Sequence, residues 1–380
     1  KLSLDLSGAA RRGATVMPCF AIGRDRNGVC GIPWPWKWWS HDEPHLVQQR
    51  SGRWVLAAIG GSPREGGYTF KKLDESSGLL LDGGEEVARV ICKSLSHEEL
   101  KWTRSAKGHD LTGVTITKSE VMQEMQKASN EGAYFVLPSQ LNGVDAPSPE
   151  RVLKSLEECK SDATLFERRG IRGHLALHPA VSQFLLDNAR GTSRGSGLNS
   201  VGKVLESINS DRLEFQNGYL RVRPESEESL RVLVANLHKT QPLILEDVPV
   251  VGLQHSKLFT SSFHLVHVAF ASASPLDQRH RSDNFHEELS QSILSVQYLG
   301  ALRRAAEKAA ENARQKVFLV PPGDPGEKYF YSRISESMSR AVALLGPEDF
   351  RKLEVHILLE ESDFDEFCSE LMFYGVNLCS

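Results

Sequence analysis

The spacing of apolar positions changes along this chain, and the changes mark out its elements. Tyr134-Phe135-Val136-Leu137 and Val317-Phe318-Leu319-Val320 are short unbroken apolar runs, the pattern of strands buried on both faces of a sheet. Phe263–Phe270 and residues 353–359 read as further strands, with shorter ones at Tyr219–Val222 and near Leu243–Leu245. Between them the period is helical. Phe285, Leu289, Ile293, Val296 and Leu299 recur three to four apart and predict one long helix over about 285–313. Helices are also predicted over 179–189, 198–208 and 329–345. Thr117 reads as an N-cap, with Glu120 completing a capping box, for a helix running to about Ala128. Ser148-Pro149-Glu150 reads as the start of another, with Val152, Leu153 and Leu156 as its apolar stripe.

The chain ends as helix–strand–helix–strand, which implies parallel strands joined by right-handed crossovers. Residues 115–380 therefore read as an α/β fold, a three-layer α/β/α domain around a central mixed sheet. Strands 133–137, 263–270, 316–320 and 353–359 are expected to share that sheet.

Residues 1–114 read as an irregular N-terminal extension, a Trp/Pro-rich arm followed by short strands. Trp34, Trp36, Trp38 and Trp39 place four of the six tryptophans where Pro33 and Pro35 forbid helix. Aromatics this dense bury a large area, so the arm packs either on its own domain or on a protein partner. Trp54–Ile59 reads as a short buried strand. Gly60–Gly67 has the glycines of a phosphate loop, yet it runs into the strand-like Tyr68-Thr69-Phe70 where such a loop must open a helix. It reads as a hairpin loop. Arg190–Gly197 reads as a mobile connection.

Charge and cysteine usage narrow the function classes. A net charge of -4 gives no sign of a nucleic-acid surface. The six cysteines are scattered with no C-x-x-C pair, which excludes a zinc ribbon and implies a reducing, intracellular setting. The chain begins at Lys1, which leaves room for a removed targeting segment and hence for an organelle. No apolar run reaches the roughly 18 residues of a spanning helix, so no membrane span is expected.

Catalytic signatures are missing from the sequence: no H-E-x-x-H, G-x-S-x-G or G-x-x-x-x-G-K-[ST] occurs. His264 and His267, three apart on a strand, point to opposite faces and do not chelate together. His174 and His178 read as cap or core, and Glu157-Glu158 and Glu360-Glu361 as solvated element ends. Neither catalytic nor metal-binding residues are assigned.

Binding chemistry concentrates in two loops. In an open α/β sheet, ligands sit at the carboxyl ends of the strands. The first apolar run opens into Pro138-Ser139-Gln140-Leu141-Asn142-Gly143, where the Gln140 and Asn142 amides suit hydroxyl groups. Ser139 and Asn142 are equally common as turn formers. The second opens into Pro321-Pro322-Gly323-Asp324-Pro325-Gly326-Glu327. Gly323 and Gly326 could let backbone approach a phosphate. The three prolines lack an N–H, and Asp324 and Glu327 repel an anion.

These loops, taken with Asn217-Gly218-Tyr219-Leu220, His264-Leu265-Val266-His267, Ser274-Pro275 and Glu360-Glu361-Ser362-Asp363-Phe364, follow an order that resembles a divergent macrodomain over about residues 110–375. The resemblance implies ADP-ribose as ligand, with Asn142 on the distal ribose and the 321–327 backbone on the diphosphate. Ser139, Gln140, Gly143, Gly323 and Gly326 would complete that site. The prolines and acids depart from the family's glycine-rich loop. The expectation is thus a pseudoenzyme with an empty or narrowed pocket and no cofactor, acting as a structural or binding subunit of a larger assembly through protein–protein interaction. The alternative is a working ADP-ribose-binding module or ADP-ribosyl hydrolase.

Overall fold

The computed structural model describes residues 68–95, 111–189, 198–208, 213–222, 232–251, 264–273, 284–322 and 328–378, except 75, 233 and 312. It also describes the backbone of an antiparallel pair, β1 (Glu43–Gln48) and β2 (Trp54–Ile59). The tryptophan arm, residues 60–67 and 190–197, Ser274-Pro275 and Gly323–Glu327 lie outside the described residues.

The strands continue as β3 (Tyr68–Lys72), β4 (Ser77–Asp82), β5 (Glu85–Ile91), β6 (Thr115–Lys118) and β7 (Tyr134–Pro138). A hairpin of β8 (Leu213–Gln216) and β9 (Tyr219–Val222) follows. Then come β10 (Ile244–Pro249), β11 (Leu265–Ala271), β12 (Gln315–Leu319), β13 (Leu353–Leu359) and β14 (Asn377–Leu378). Ten of them form one mixed sheet in the order β14-β6-β13-β12-β7-β11-β10-β5-β4-β3. From β14 to β11 every pairing is parallel, and from β11 to β3 every pairing is antiparallel.

The four strands expected to share a sheet do so. β7 and β11 are buried along their whole length, in keeping with sequences that are apolar throughout in β7 and apolar but for His267 in β11. Residues Tyr68–Ile91 correct the reading of an irregular extension. They form an antiparallel arm of the same sheet, with β5 paired to β10 through Ile91↔Ile244.

The helices are α1 (Val121–Met125), α2 (Leu156–Ser161), α3 (Ala163–Phe166), α4 (Arg169–Ala176), α5 (Pro179–Asn188), α6 (Gly202–Ile208), α7 (Asn284–Lys308), α8 (Lys328–Leu345), α9 (Pro347–Arg351) and α10 (Phe364–Phe373). They divide between the faces because alternate strand residues point opposite ways. Tyr134, Val136, Val317 and Leu319 pack with α6, α7, α8 and α10. Phe135, Leu137, Phe318 and Val320 pack with α1, α4 and α5. The result is helix, sheet, helix. The long helix appears as α7, ending at Lys308 rather than near 313.

Two helix starts need correction. Thr117 lies in β6, not at a cap. Its strand pairs with β13, and the cap of α1 is Glu120, whose carboxylate accepts from the Gln123 N–H at 2.9 Å. Ser148 does not open a helix either. The loop beyond it is pinned to the β8–β9 hairpin, Tyr219 donating to the Ala146 carbonyl (2.7 Å) and Asn217 to that of Pro149 (2.6 Å). α2 begins only at Leu156, capped by Ser155.

Candidate functional site

β7 and β12 are neighbours, with Val317↔Tyr134 and Leu319↔Val136 in register. Beyond its carboxyl end β7 leads to α4 and α5 on one face, whereas β12 leads to α8 on the other. Such a divergence is the topological switch point at which α/β sheets open a ligand crevice. Both loops singled out in the sequence start there.

The first loop is closed on itself. Ser139, Gln140 and Asn142 are each at most 5% exposed. Asn142 donates through Nδ2 to the Ala189 carbonyl (3.0 Å), and its Oδ1 accepts from the Val144 N–H (3.1 Å). Ser139 Oγ donates to the Gln140 carbonyl (2.8 Å), and Gln140 Oε1 accepts from Ser272 Oγ (3.3 Å). Gly143 turns the chain at φ +81°, and a Cβ there would stand 2.8 Å from Leu243. His174 fixes this turn from α4, its Nε2 donating to the Gly143 carbonyl at 2.9 Å. Burial lowers the His174 pKa to about 4. The imidazole is therefore neutral at pH 7.

Of the second loop, Pro321 and Pro322 are described. The Pro321 carbonyl accepts from Arg169 Nη1 at 3.0 Å. Arg169 is 3% exposed and also pairs with Asp363 and with Glu360 (3.6 Å) at the end of β13. Arg172 holds Glu360 at 2.6 Å and Glu120 at 3.5 Å. Glu360, read from the sequence as a solvated end, is in fact a shared partner of two arginines. Gly170 allows α4 to come this close. A Cβ there would stand 2.1 Å from the Pro138 carbonyl oxygen. Asp145 accepts from the Gly170 N–H (3.2 Å) and from Arg168 (2.6 Å).

Both loops thus start at neighbouring strand ends, the 139–143 turn bonded to Ala189, His174 and Ser272 and Pro321 bonded to Arg169, with carboxylates that follow β13 paired to the arginines of α4. Arg169 was not legible as a site residue, since its partners lie far away along the chain.

A second charged cluster lies at the other end of the sheet. A bulge between Leu245 and Val248 carries Glu246, which is fully buried, and Asp247 at φ +57°. Glu246 accepts from Tyr134 (2.8 Å) and Arg304 (2.7 Å) and pairs with Lys308 (3.1 Å). Burial alone would raise the Glu246 pKa, but the bonds from Arg304 and Tyr134 outweigh it and hold the carboxyl down at about 2. His267 packs against Tyr134 with centroids 4.4 Å apart and the rings tilted by 40°, and its Nδ1 accepts from the Asp247 N–H. His178 caps α5, its Nδ1 accepting from the Ala180 N–H at 3.3 Å, in line with the cap-or-core reading of the histidine pair.

Burial raises the Cys92 and Cys159 thiols to about 12, the opposite of what a nucleophile needs. Among the described residues no group of His, Cys, Asp and Glu is arranged to hold a metal ion, and no helix is long and apolar enough to cross a membrane. Compared with models of known protein families, with curated proteins and with solved structures, the chain matches none.

Proposed function

We propose that this chain is a divergent macrodomain-like protein whose nucleotide crevice is filled by its own side chains, and that it serves as a binding or structural component of a larger assembly. The three-layer architecture and the adjacency of the two loops at a switch point support the macrodomain comparison. One observation carries the loss of the pocket. Both ends of the Asn142 amide are bonded to protein backbone, and Arg169 occupies the neighbouring space with its own carbonyl and carboxylate partners. A ribose hydroxyl would have to break bonds already made within the protein, and the prolines offer a diphosphate no N–H in return.

Calorimetry with ADP-ribose tests the closed crevice. Silence at millimolar ligand is expected, and micromolar binding would promote the alternative, an ADP-ribose-binding module or hydrolase. Light scattering on the protein isolated gently from its source cells tests the assembly. Elution at the mass of a single chain would count against a subunit role.

A further inference from the structure

We propose that β3 is a dimerisation edge, pairing antiparallel with β3 of a second copy of this chain across a two-fold axis at Phe70. β3 is the outermost strand at the antiparallel end of the ten-stranded sheet. Leu73 donates to the Ser77 carbonyl at 3.0 Å, and in the same register Lys71 lies opposite Leu79 and Thr69 opposite Leu81. Antiparallel bonding alternates along a strand. Thr69, Lys71 and Leu73 therefore bond to β4, and the backbone N–H and C=O of Phe70 and Lys72 point away from the sheet. Among the described residues no strand covers them. An open row of this kind is a template for another strand.

The side chain at the centre of this edge is fixed in place. Phe70 lies over Gly78, where a Cβ would stand 2.3 Å from its ring, and stacks on Phe184 of α5 with centroids 5.6 Å apart. It is nevertheless 44% exposed, an apolar ring held at the rim of the sheet. A ring positioned beforehand loses little freedom when it is covered.

Charge selects a second copy as the partner, and selects the register. β3 reads Tyr68-Thr69-Phe70-Lys71-Lys72, with hydroxyl residues on one side of the phenylalanine and lysines on the other. A two-fold axis at Phe70 sets this ring against Phe70 of the second copy, the Cα atoms about 5.5 Å apart and both backbone bonds exchanged. Each Lys71 then lies opposite Thr69, and each Lys72 opposite Tyr68. Tyr68 brings a carboxylate to that spot, since its hydroxyl donates to Asp187 at 2.9 Å. Axes at Lys71 or Lys72 would set ammonium groups directly opposite one another, which opposes pairing. An axis at Thr69 would carry both lysines beyond the end of the other β3. The Phe70 axis pairs the whole strand without like charges.

Sedimentation velocity of the purified full chain over about 1–100 µM tests the pairing, because an interface built on one edge strand is small and dissociates in that range. A reversible monomer–dimer equilibrium is expected. K72P removes an outward N–H and keeps the bonds of Lys71 and Leu73 to β4, so it should weaken the dimer about tenfold or more. T69K sets lysine opposite Lys71 and should weaken it several-fold. T69E sets an acid there and should tighten it several-fold, an effect lost at high salt. Both change one exposed side chain, so they decide the matter if K72P misfolds. A chain that stays monomeric at every concentration overturns the proposal, whether the edge is then open or covered by the chain's own residues. A dimer that all three variants leave unchanged lies on another surface and overturns it too. The experiment includes no other subunit and no nucleotide, so its outcome is independent of the function proposed above.

Discussion

Arg169 donates to the Pro321 carbonyl at 3.0 Å and so ties the first turn of α4 to the end of β12. The two elements lie on opposite sides of the point where the chain leaves the sheet in two directions. The guanidinium thus occupies the place where an α/β sheet ordinarily admits its ligand. Its charge is balanced by Glu360 and Asp363, just beyond β13, so the guanidinium is anchored as part of the fold.

Removing that guanidinium should therefore destabilise the protein strongly. Arg169→Ala leaves Asp363, 5% exposed, as a buried carboxylate without its cation. A loss of about 3–5 kcal/mol in urea unfolding is expected, because the cost is that of stranding a buried charge. The double variant Arg169→Met/Asp363→Asn, which removes both charges, should recover a good part of it. A loss below about 1 kcal/mol for Arg169→Ala would show that the cluster is solvated.

The 139–143 turn should behave as core. Asn142→Ala removes a donor to Ala189 and an acceptor from Val144 in a buried turn, costing about 1–3 kcal/mol. Gly143→Ala forces a side chain into the left-handed region against Leu243 and should cost on the order of 1–2 kcal/mol. Thermal denaturation of both variants checks this. If Asn142→Ala leaves stability unchanged, the side chain is held for a ligand rather than for the fold.

The sheet was legible because β7 and most of β11 are apolar and buried on both faces, and β12 and β13 end in the apolar stretches Val317–Leu319 and Ile357–Leu359. β6 was misread because Thr117 and Glu120 satisfy a capping pattern, while its strand character rests on partners in β13 and β14 that local sequence does not show. Ser148 was misread for a similar reason, since its loop is held by Tyr219 and Asn217 from a hairpin some 70 positions on. The two loops of the candidate site could be placed by their position after buried strands. The bonding of the 139–143 turn could not, because it depends on Ala189, His174 and Ser272, which only the fold brings near.

Glu246 should set the lower acid limb of the stability curve. Its native pKa of about 2 lies below the ordinary value of 4.5, so its contribution is fully present above about pH 5 and is lost as pH falls toward 2. Glu246→Gln should remove that limb and lower stability at neutral pH by on the order of 3–5 kcal/mol, since Arg304 and Lys308 lose a buried partner. Urea midpoints from pH 7 to pH 3 report both effects. An unchanged acid slope in the variant would mean that some other carboxylate sets it.

His178 and His174 should set a separate limb at higher pH. Burial holds both at about 4 in the native state, below the 6.5 of an unfolded imidazole. Between those values the unfolded chain takes up protons that the folded chain refuses, so stability falls as pH drops from about 6.5 through 4. Each fully buried ring accounts for about 3 kcal/mol across that window. At His178 the loss is softened if the imidazolium engages Asp82, whose Oδ2 lies 4.0 Å from Nε2. His178→Asn separates the titration from the structural role, because an asparagine oxygen can still accept the Ala180 N–H and cap α5. The variant should match the parent near pH 4.5 and lose less stability than the parent on going from pH 7 to pH 4.5. Parallel curves for the two proteins would show that the ring at position 178 titrates alike in both states, and would shift the whole limb to His174.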